Sequence, residues 1–245
     1  MLEAVIFDMD GVIVDSHPAH REAWRMFLRT LGKAVSDTDL DFVLDGRKRG
    51  EILRHFLGEL SEAAMQEYGK RKDEYFREAS LQVKPVPGVV RFMRRLENAG
   101  ITTAVATSAS ESRTRHTLEH LRLISKVNVI VTGDDVALGK PDPSIYVLAC
   151  ERLNVKPGHA VAFEDAVSGI QSARRAGISC IGVASHQSPD KLRVAGAAYV
   201  VKDFSNLSVP RLERSLVSSG TTRSRRRAAR ITDPDLSNKP GICSA

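Results

Sequence analysis

Beyond residue 100 the chain alternates short apolar runs with longer amphipathic stretches, and no other feature of the sequence limits the fold so strongly. The runs at 101–106, 127–131, 160–163, 180–183 and 199–201 are rich in Val, Ile and Ala and read as strands buried on both faces. Amphipathic stretches at 89–99, 111–122, 143–153 and 166–176 separate them and read as helices. Alternation of this kind implies an α/β fold, a Rossmann-like parallel sheet covered by helices on both sides. A sixth run, at 2–7, opens the chain. In open parallel sheets, ligands bind at the carboxyl ends of strands, near the point where strand order reverses. Asp8-Met9-Asp10, Thr107-Ser108 and Glu164-Asp165, described below, each follow one of these runs directly.

Residues 18–80 follow a different rhythm. Ala23, Trp24, Phe27, Leu28 and Leu31 recur at helical spacing, as do Ile52, Leu53, Phe56 and Leu57, with almost no β-branched runs. This stretch reads as a helical insert. The expected organisation is a catalytic core of 1–15 and 84–217, a helical cap at 16–83, and a basic, disordered tail at 218–245.

Charge supports setting the tail apart. The chain carries a formal +6, but residues 221–245 hold six basic and two acidic side chains, so +4 of the excess lies there. Only +2 remains for the other 220 residues. That distribution argues against a nucleic-acid-binding core and leaves at most a weak, salt-sensitive contact between the tail and a polyanion. No apolar run approaches the roughly 20 residues that span a bilayer, and the N-terminus lacks the basic start and apolar stretch of a secretion signal. Cys150, Cys180 and Cys243 show no metal-ligand spacing. The expectation is a cytoplasmic monomer.

Asp8-Met9-Asp10-Gly11 follows the first run. Two carboxylates one residue apart at a strand end can divide nucleophile and acid/base work, although an acidic turn has the same sequence. A calcium loop counted from Asp8 fails, with Ile13 at position six and Ala19 at position twelve. Thr107-Ser108 closes the second run and offers a hydroxyl and backbone N–H groups for a phosphate oxygen, or simply a helix cap. Lys140, in Gly139-Lys140-Pro141, is a cation before a helix start or a plain surface lysine. It is not part of a P-loop, because five residues separate Gly133 from Gly139 and Pro141 replaces the required hydroxyl. Glu164-Asp165 ends another run. Four carboxylates in one crevice would repel, by about 4 kcal/mol for a pair 4 Å apart at an effective dielectric near 20. They therefore imply a divalent cation or raised pKa values, and an all-oxygen set favours Mg²⁺ over zinc. Helix capping by Asp165 is the plainer alternative.

Taken in order, Asp8-x-Asp10, Thr107-Ser108, Lys140-Pro141 and Glu164-Asp165 resemble the four motifs of the haloacid dehalogenase superfamily. The insert resembles the cap of its β-phosphoglucomutase-like branch, and the resemblance covers about residues 1–205. It implies that Asp8 attacks phosphorus to give an aspartyl-phosphate while Asp10 serves as acid and then base. It implies that Thr107, Ser108 and Lys140 hold the phosphoryl group. Mg²⁺ is expected among Asp8, the Asp10 carbonyl, Glu164 and Asp165. His20, Gly46, Arg49 and Lys72 match cap positions that the mutase branch uses, though His20 also reads as a half-buried helix histidine and Arg49 as part of a solvated charge run.

A dehalogenase would need only the first aspartate and no metal. A phosphonate hydrolase would need one cap lysine, and nothing singles one out among Lys33, Lys48, Lys70 and Lys72. The expected activity is hydrolysis of a small phosphorylated metabolite, a sugar phosphate, with a β-phosphoglucomutase-type sugar-phosphate mutase as the alternative. Glu111 stands where the mutase branch has an amide, and an acid there would repel a second phosphate. The basic loop Asp45-Gly46-Arg47-Lys48-Arg49 would favour one strongly anionic group.

Overall fold

A computed structural model describes residues 1–214. The expected tail, the last three residues assigned to the core and Cys243 lie outside the described residues. The elements run β1 (Ala4–Phe7), α1 (His17–Thr30), α2 (Arg49–Leu57), α3 (Glu62–Ala79), α4 (Val89–Asn98), β2 (Thr102–Ala106), α5 (Glu111–His120), β3 (Val129–Val131), α6 (Ser144–Leu153), β4 (Ala160–Glu164), α7 (Val167–Arg175), β5 (Ser179–Val183), α8 (Pro189–Ala195) and β6 (Val200–Val201). All six strands are parallel, in the order β3-β2-β1-β4-β5-β6. The expected Rossmann-like sheet is present.

Period-two alternation divides the strand side chains between two apolar layers. Val5, Phe7, Phe163 and Ile181 face α4 and α5, where Phe7 stacks on Phe163 at 5.5 Å and Phe92 and Phe204 close the cluster. Ile6, Ala104, Ala106 and Ala162 face α6 and α7, against Tyr146, Ala149 and Ile170. The small side chains on this second face let Tyr146 reach across beneath the sheet end.

The edge strands are shorter than their apolar runs. β3 begins at Val129 because a 3₁₀ turn at Ile124–Lys126 precedes it and the Asn128 side chain accepts a hydrogen bond from the Thr103 amide at 2.8 Å. At the other edge, the Tyr199 carbonyl still accepts from Gly182 N at 2.9 Å, although regular pairing starts at Val200.

The insert folds as three α-helices and a 3₁₀ turn at Asp39–Leu44, around its own apolar centre of Trp24, Phe27, Leu28, Leu40, Leu44 and Leu53. Ser61 caps α3 by accepting from Ala64 N at 3.2 Å. The two chain crossings between sheet and insert lie side by side, with Val86 N donating to Ile13 O and Asp15 N to Lys84 O, both at 2.9 Å. Among the described residues, no helix is long and apolar enough to cross a membrane.

Candidate active site

Strand order reverses at β1, which pairs with β2 on one side and β4 on the other, with Phe7 level with both Val105 and Phe163. The next residue on each strand is therefore Asp8, Ala106 and Glu164, brought to one height at the topological switch point. Lys140 crosses beneath them. Its Nζ donates to Asp8 Oδ1 at 2.6 Å, Glu164 Oε1 at 2.6 Å and the Ala106 carbonyl at 3.0 Å. Tyr146 OH donates to the same Glu164 oxygen at 2.6 Å. Lys140 and Glu164 are each 1% exposed, so one buried cation serves two buried carboxylates. Burial pushes both the Asp8 and Glu164 carboxyls above their ordinary range, more than Lys140 draws them down.

Asp10 has a separate set of partners. Arg113, three residues into α5, forks onto it with Nη1 to Oδ1 at 3.0 Å and Nη2 to Oδ2 at 2.6 Å. Ser16 Oγ donates to Oδ1 at 2.6 Å, and His20 Nε2 lies 3.1 Å from it. Burial alone would raise Asp10, but Arg113 and then His20 hold it well below the usual carboxylate range. Burial lowers His20 itself to about 3, so its ring is neutral.

Asp165 is gripped from a third direction. Its Oδ2 lies 2.9 Å from His17 Nε2 and 3.1 Å from His186 Nδ1, and it accepts from Ser185 Oγ at 3.0 Å. Burial works against ionisation, yet His17 and His186 bring Asp165 to about 2. Gly11 makes this packing possible. It sits at φ +73°, and a β-carbon there would fall 1.9 Å from Asp165 Oδ2 and 2.4 Å from His17 Cε1.

The cap is closed onto this floor. Ser108 Oγ donates to the Gly46 carbonyl at 2.6 Å, Ser168 Oγ donates to the Asp45 carbonyl, and Lys48 Nζ donates to the Val136 carbonyl at 2.7 Å. Gly46 turns at φ +69°, with its would-be β-carbon 3.0 Å from Ser168 Oγ. The cavity between cap and sheet is lined by Asp8, Asp10, Thr107, Ser108 and Asp165 from below and by His20, Gly46, Arg49 and Lys72 from above. All four expected cap residues thus line the same cavity as Asp8 and Asp10, and His20 contacts Asp10 directly. Lys72 stands 4.8 Å from the Phe76 ring centroid, and burial, followed by the charge of Arg113, lowers it to about 7.

Comparison with known proteins agrees with this geometry. A family model described as haloacid dehalogenase-like hydrolase matches residues 2–177. The chain belongs to this hydrolase family. A phosphorylated carbohydrates phosphatase from Thermotoga maritima is 38% identical over 216 residues, covering 85% of this chain and 98% of the relative. A validoxylamine A 7'-phosphate phosphatase from Streptomyces hygroscopicus is 32% identical over 225 residues, covering 86% and 99%. The crystal structure of β-phosphoglucomutase from Clostridium difficile superposes with a TM-score of 0.80 at 26% identity, covering 90% of this chain and all of that one.

Lys140 has its three N–H groups engaged by Asp8, Glu164 and the Ala106 carbonyl and is not among the residues that line the cavity. Within this haloacid dehalogenase-like frame, the expectations for Glu111 and for the basic cap loop need correction. Glu111 is absent from the cavity lining and pairs with Arg115 Nε on the outer face of α5 at 2.8 Å. Helix residues two apart do not share a face, and the capping of α5 by Ser110 turns Arg113, rather than Glu111, inward. The basic cap loop is largely self-neutralised: Arg47 lies 3.4 Å from Asp45 and 3.5 Å from Glu51, and Arg49 pairs with Asp73.

The four carboxylates are also not a bare repelling cluster, since Lys140 and Arg113 each neutralise part of it and His17 and His186 lie in hydrogen-bond reach of Asp165. A hard cation nonetheless fits. Oxygens of Asp8, Glu164 and Asp165 lie within 4.8 Å of one another, and Glu164 Oε2 is buried with no hydrogen-bond partner. The Asp10 carboxylate lies outside this group, turned to Arg113. Sequence reasoning missed Arg113, His17, His186 and Tyr146. Helical phase from the Ser110 cap was the available signal for Arg113; none marked the other three.

Proposed function

We propose that the protein hydrolyses phosphate monoesters of small carbohydrates through an aspartyl-phosphate on Asp8. The observation that carries this reading is Asp8 at the switch point, its Oδ1 fixed by Lys140 and its carboxylate facing the cavity two residues before Asp10. The 38% and 32% identities to relatives named as a phosphorylated carbohydrates phosphatase and a validoxylamine A 7'-phosphate phosphatase support the choice of substrate class.

Lys140 sets the position of the nucleophile, and its single charge shared with Glu164 leaves Asp8 electron-rich. Asp8 forms a bond to phosphorus as the ester P–O bond breaks. Asp10, after taking a proton from solvent, gives it to the departing sugar oxygen, then removes one from the water that attacks phosphorus and breaks the Asp8 Oδ–P bond, freeing Asp8 and inorganic phosphate. Asp10 is held ionised while Arg113 grips it, so substrate binding must first loosen that grip. An anionic phosphoryl group in the cavity competes for the same guanidinium, which couples occupancy to proton loading. Thr107 and Ser108 line the floor where phosphoryl oxygens would sit, and the closed cap excludes water until the sugar leaves. Mg²⁺ held by Asp8, Glu164, Asp165 and the Asp10 carbonyl would supply positive charge that offsets repulsion between carboxylate and phosphoryl group.

A mutase remains the second reading, favoured by the 0.80 TM-score to a β-phosphoglucomutase and by His20, Arg49 and Lys72 above the nucleophile. A panel of sugar phosphates assayed for released phosphate tests hydrolysis, and Asp8→Asn should reduce release at least a thousandfold, about 4 kcal/mol of barrier. Rapid conversion of β-glucose 1-phosphate to glucose 6-phosphate with little free phosphate would install the mutase instead.

A further inference from the structure

His17, Asp165 and His186 come from three separate elements: the first residue of α1, the segment after β4 and the segment after β5. One ligand atom from each of the three lies within 4.8 Å of the other two, and His17 Nε2 and His186 Nδ1 both sit against Asp165 Oδ2. We propose that these three side chains bind a late first-row transition ion such as Co²⁺ or Zn²⁺, at a position adjoining the all-oxygen Mg²⁺ site and sharing Asp165 with it.

Spacing supports the assignment. An ion with bonds of about 2.1 Å sets neighbouring ligand atoms roughly 3.0–3.4 Å apart at octahedral to tetrahedral angles. The two histidine–carboxylate separations are 2.9 and 3.1 Å, already at that span. The imidazole centroids are 4.1 Å apart with planes inclined at 64°, so both rings approach Asp165 without stacking on one another. Side chains are held in place by burial, with His17 8% and Asp165 2% exposed. The bare backbone of Gly11 leaves the space into which His17 and Asp165 fit.

Ligand chemistry separates this ion from the first one. Imidazole nitrogen suits zinc, cobalt, nickel and iron, whereas Mg²⁺ demands oxygen. Two histidines and a carboxylate leave coordination positions open to solvent or to a substrate oxygen. Asp165 would offer Oδ2 to this ion while its other oxygen stays available to the Asp8–Glu164 side. The competing role is purely structural: His17, His186 and Ser185 would only donate hydrogen bonds that orient Asp165.

Metal affinity distinguishes the two roles, and its measurement does not depend on the phosphatase reading. Metal-free protein is titrated with Co²⁺ in a large excess of Mg²⁺, followed by visible absorption and calorimetry. The expected result is one Co²⁺ per chain, with ligand-field bands, that Mg²⁺ does not displace. His17→Gln with His186→Gln should weaken it more than a hundredfold, beyond the 10–100-fold typical of losing an outer hydrogen-bond partner. His186→Gln alone, in a surface segment, carries the same comparison if the double variant loses its circular dichroism spectrum. Complete displacement by Mg²⁺, or a loss smaller than a hundredfold in the folded variant, would overturn the site.

Discussion

Replacing Lys140 by Met tests the claim that one buried cation organises the nucleophile. Methionine keeps most of the side-chain length and apolar packing but removes the charge and all three hydrogen bonds, to Asp8, Glu164 and Ala106. Two carboxylates, 1% and 7% exposed, then face each other without a counter-charge. Removing one partner of a buried ion pair costs about 3–5 kcal/mol, a large share of a domain's total of about 5–15 kcal/mol. The sign of the pH dependence follows from the direction of the shifts. Asp8 and Glu164 already titrate above their ordinary values, and loss of Lys140 raises them further. Groups raised in the folded state bind more protons there than when unfolded, so their contribution favours the folded variant most below about pH 4 and is lost as pH rises through the raised values. Urea denaturation of wild type and Lys140→Met between pH 4 and 8 reads this directly, with Glu164→Gln added to the variant to recover part of the loss. A Lys140→Met protein within about 1 kcal/mol of wild type at pH 7.5, with an unchanged pH slope, would refute the shared ion pair.

Lys72 is lowered to about 7, so charging it in the folded state is unfavourable and wild-type stability falls as pH drops from 10.5 towards 7. Lys72→Met should therefore gain on wild type across that window and hold a constant advantage below it, measured by thermal unfolding; parallel curves would contradict the burial argument. Arg113→Gln removes the fork that keeps Asp10 ionised, so the Asp10 carboxyl should titrate higher by carboxyl-carbon NMR, and an unmoved titration would mean that His20 and Ser16 suffice. Chelator should abolish phosphate release and Mg²⁺ restore it, while full activity in excess chelator would remove the cation from the Asp8–Glu164–Asp165 cluster.

Much of the architecture was readable because its signals are local. Apolar runs of strand length alternating with amphipathic stretches require a parallel sheet with two covered faces, and the polar residues that end those runs are necessarily its ligand edge. Asp8, Thr107, Glu164 and Asp165 were found in this way, and their order carried the family resemblance. The edge strands were overestimated because an apolar run does not reveal where pairing stops; Asn128 and the turn before it decided that.

The partners of each carboxylate depended on the tertiary structure, because electrostatic neutralisation acts between groups far apart in the chain. Asp10 meets Arg113 across 103 positions, and Lys140 reaches Asp8 across 132. A sequence shows that four acids share a crevice but not that a lysine beneath, an arginine beside and two histidines behind already divide them. Glu111 and Arg113 make the same point at closer range: two residues apart, they were equally available to the reading. Only the phase of α5, set by its cap and its packing, turned the arginine to the cavity and left the glutamate in solvent.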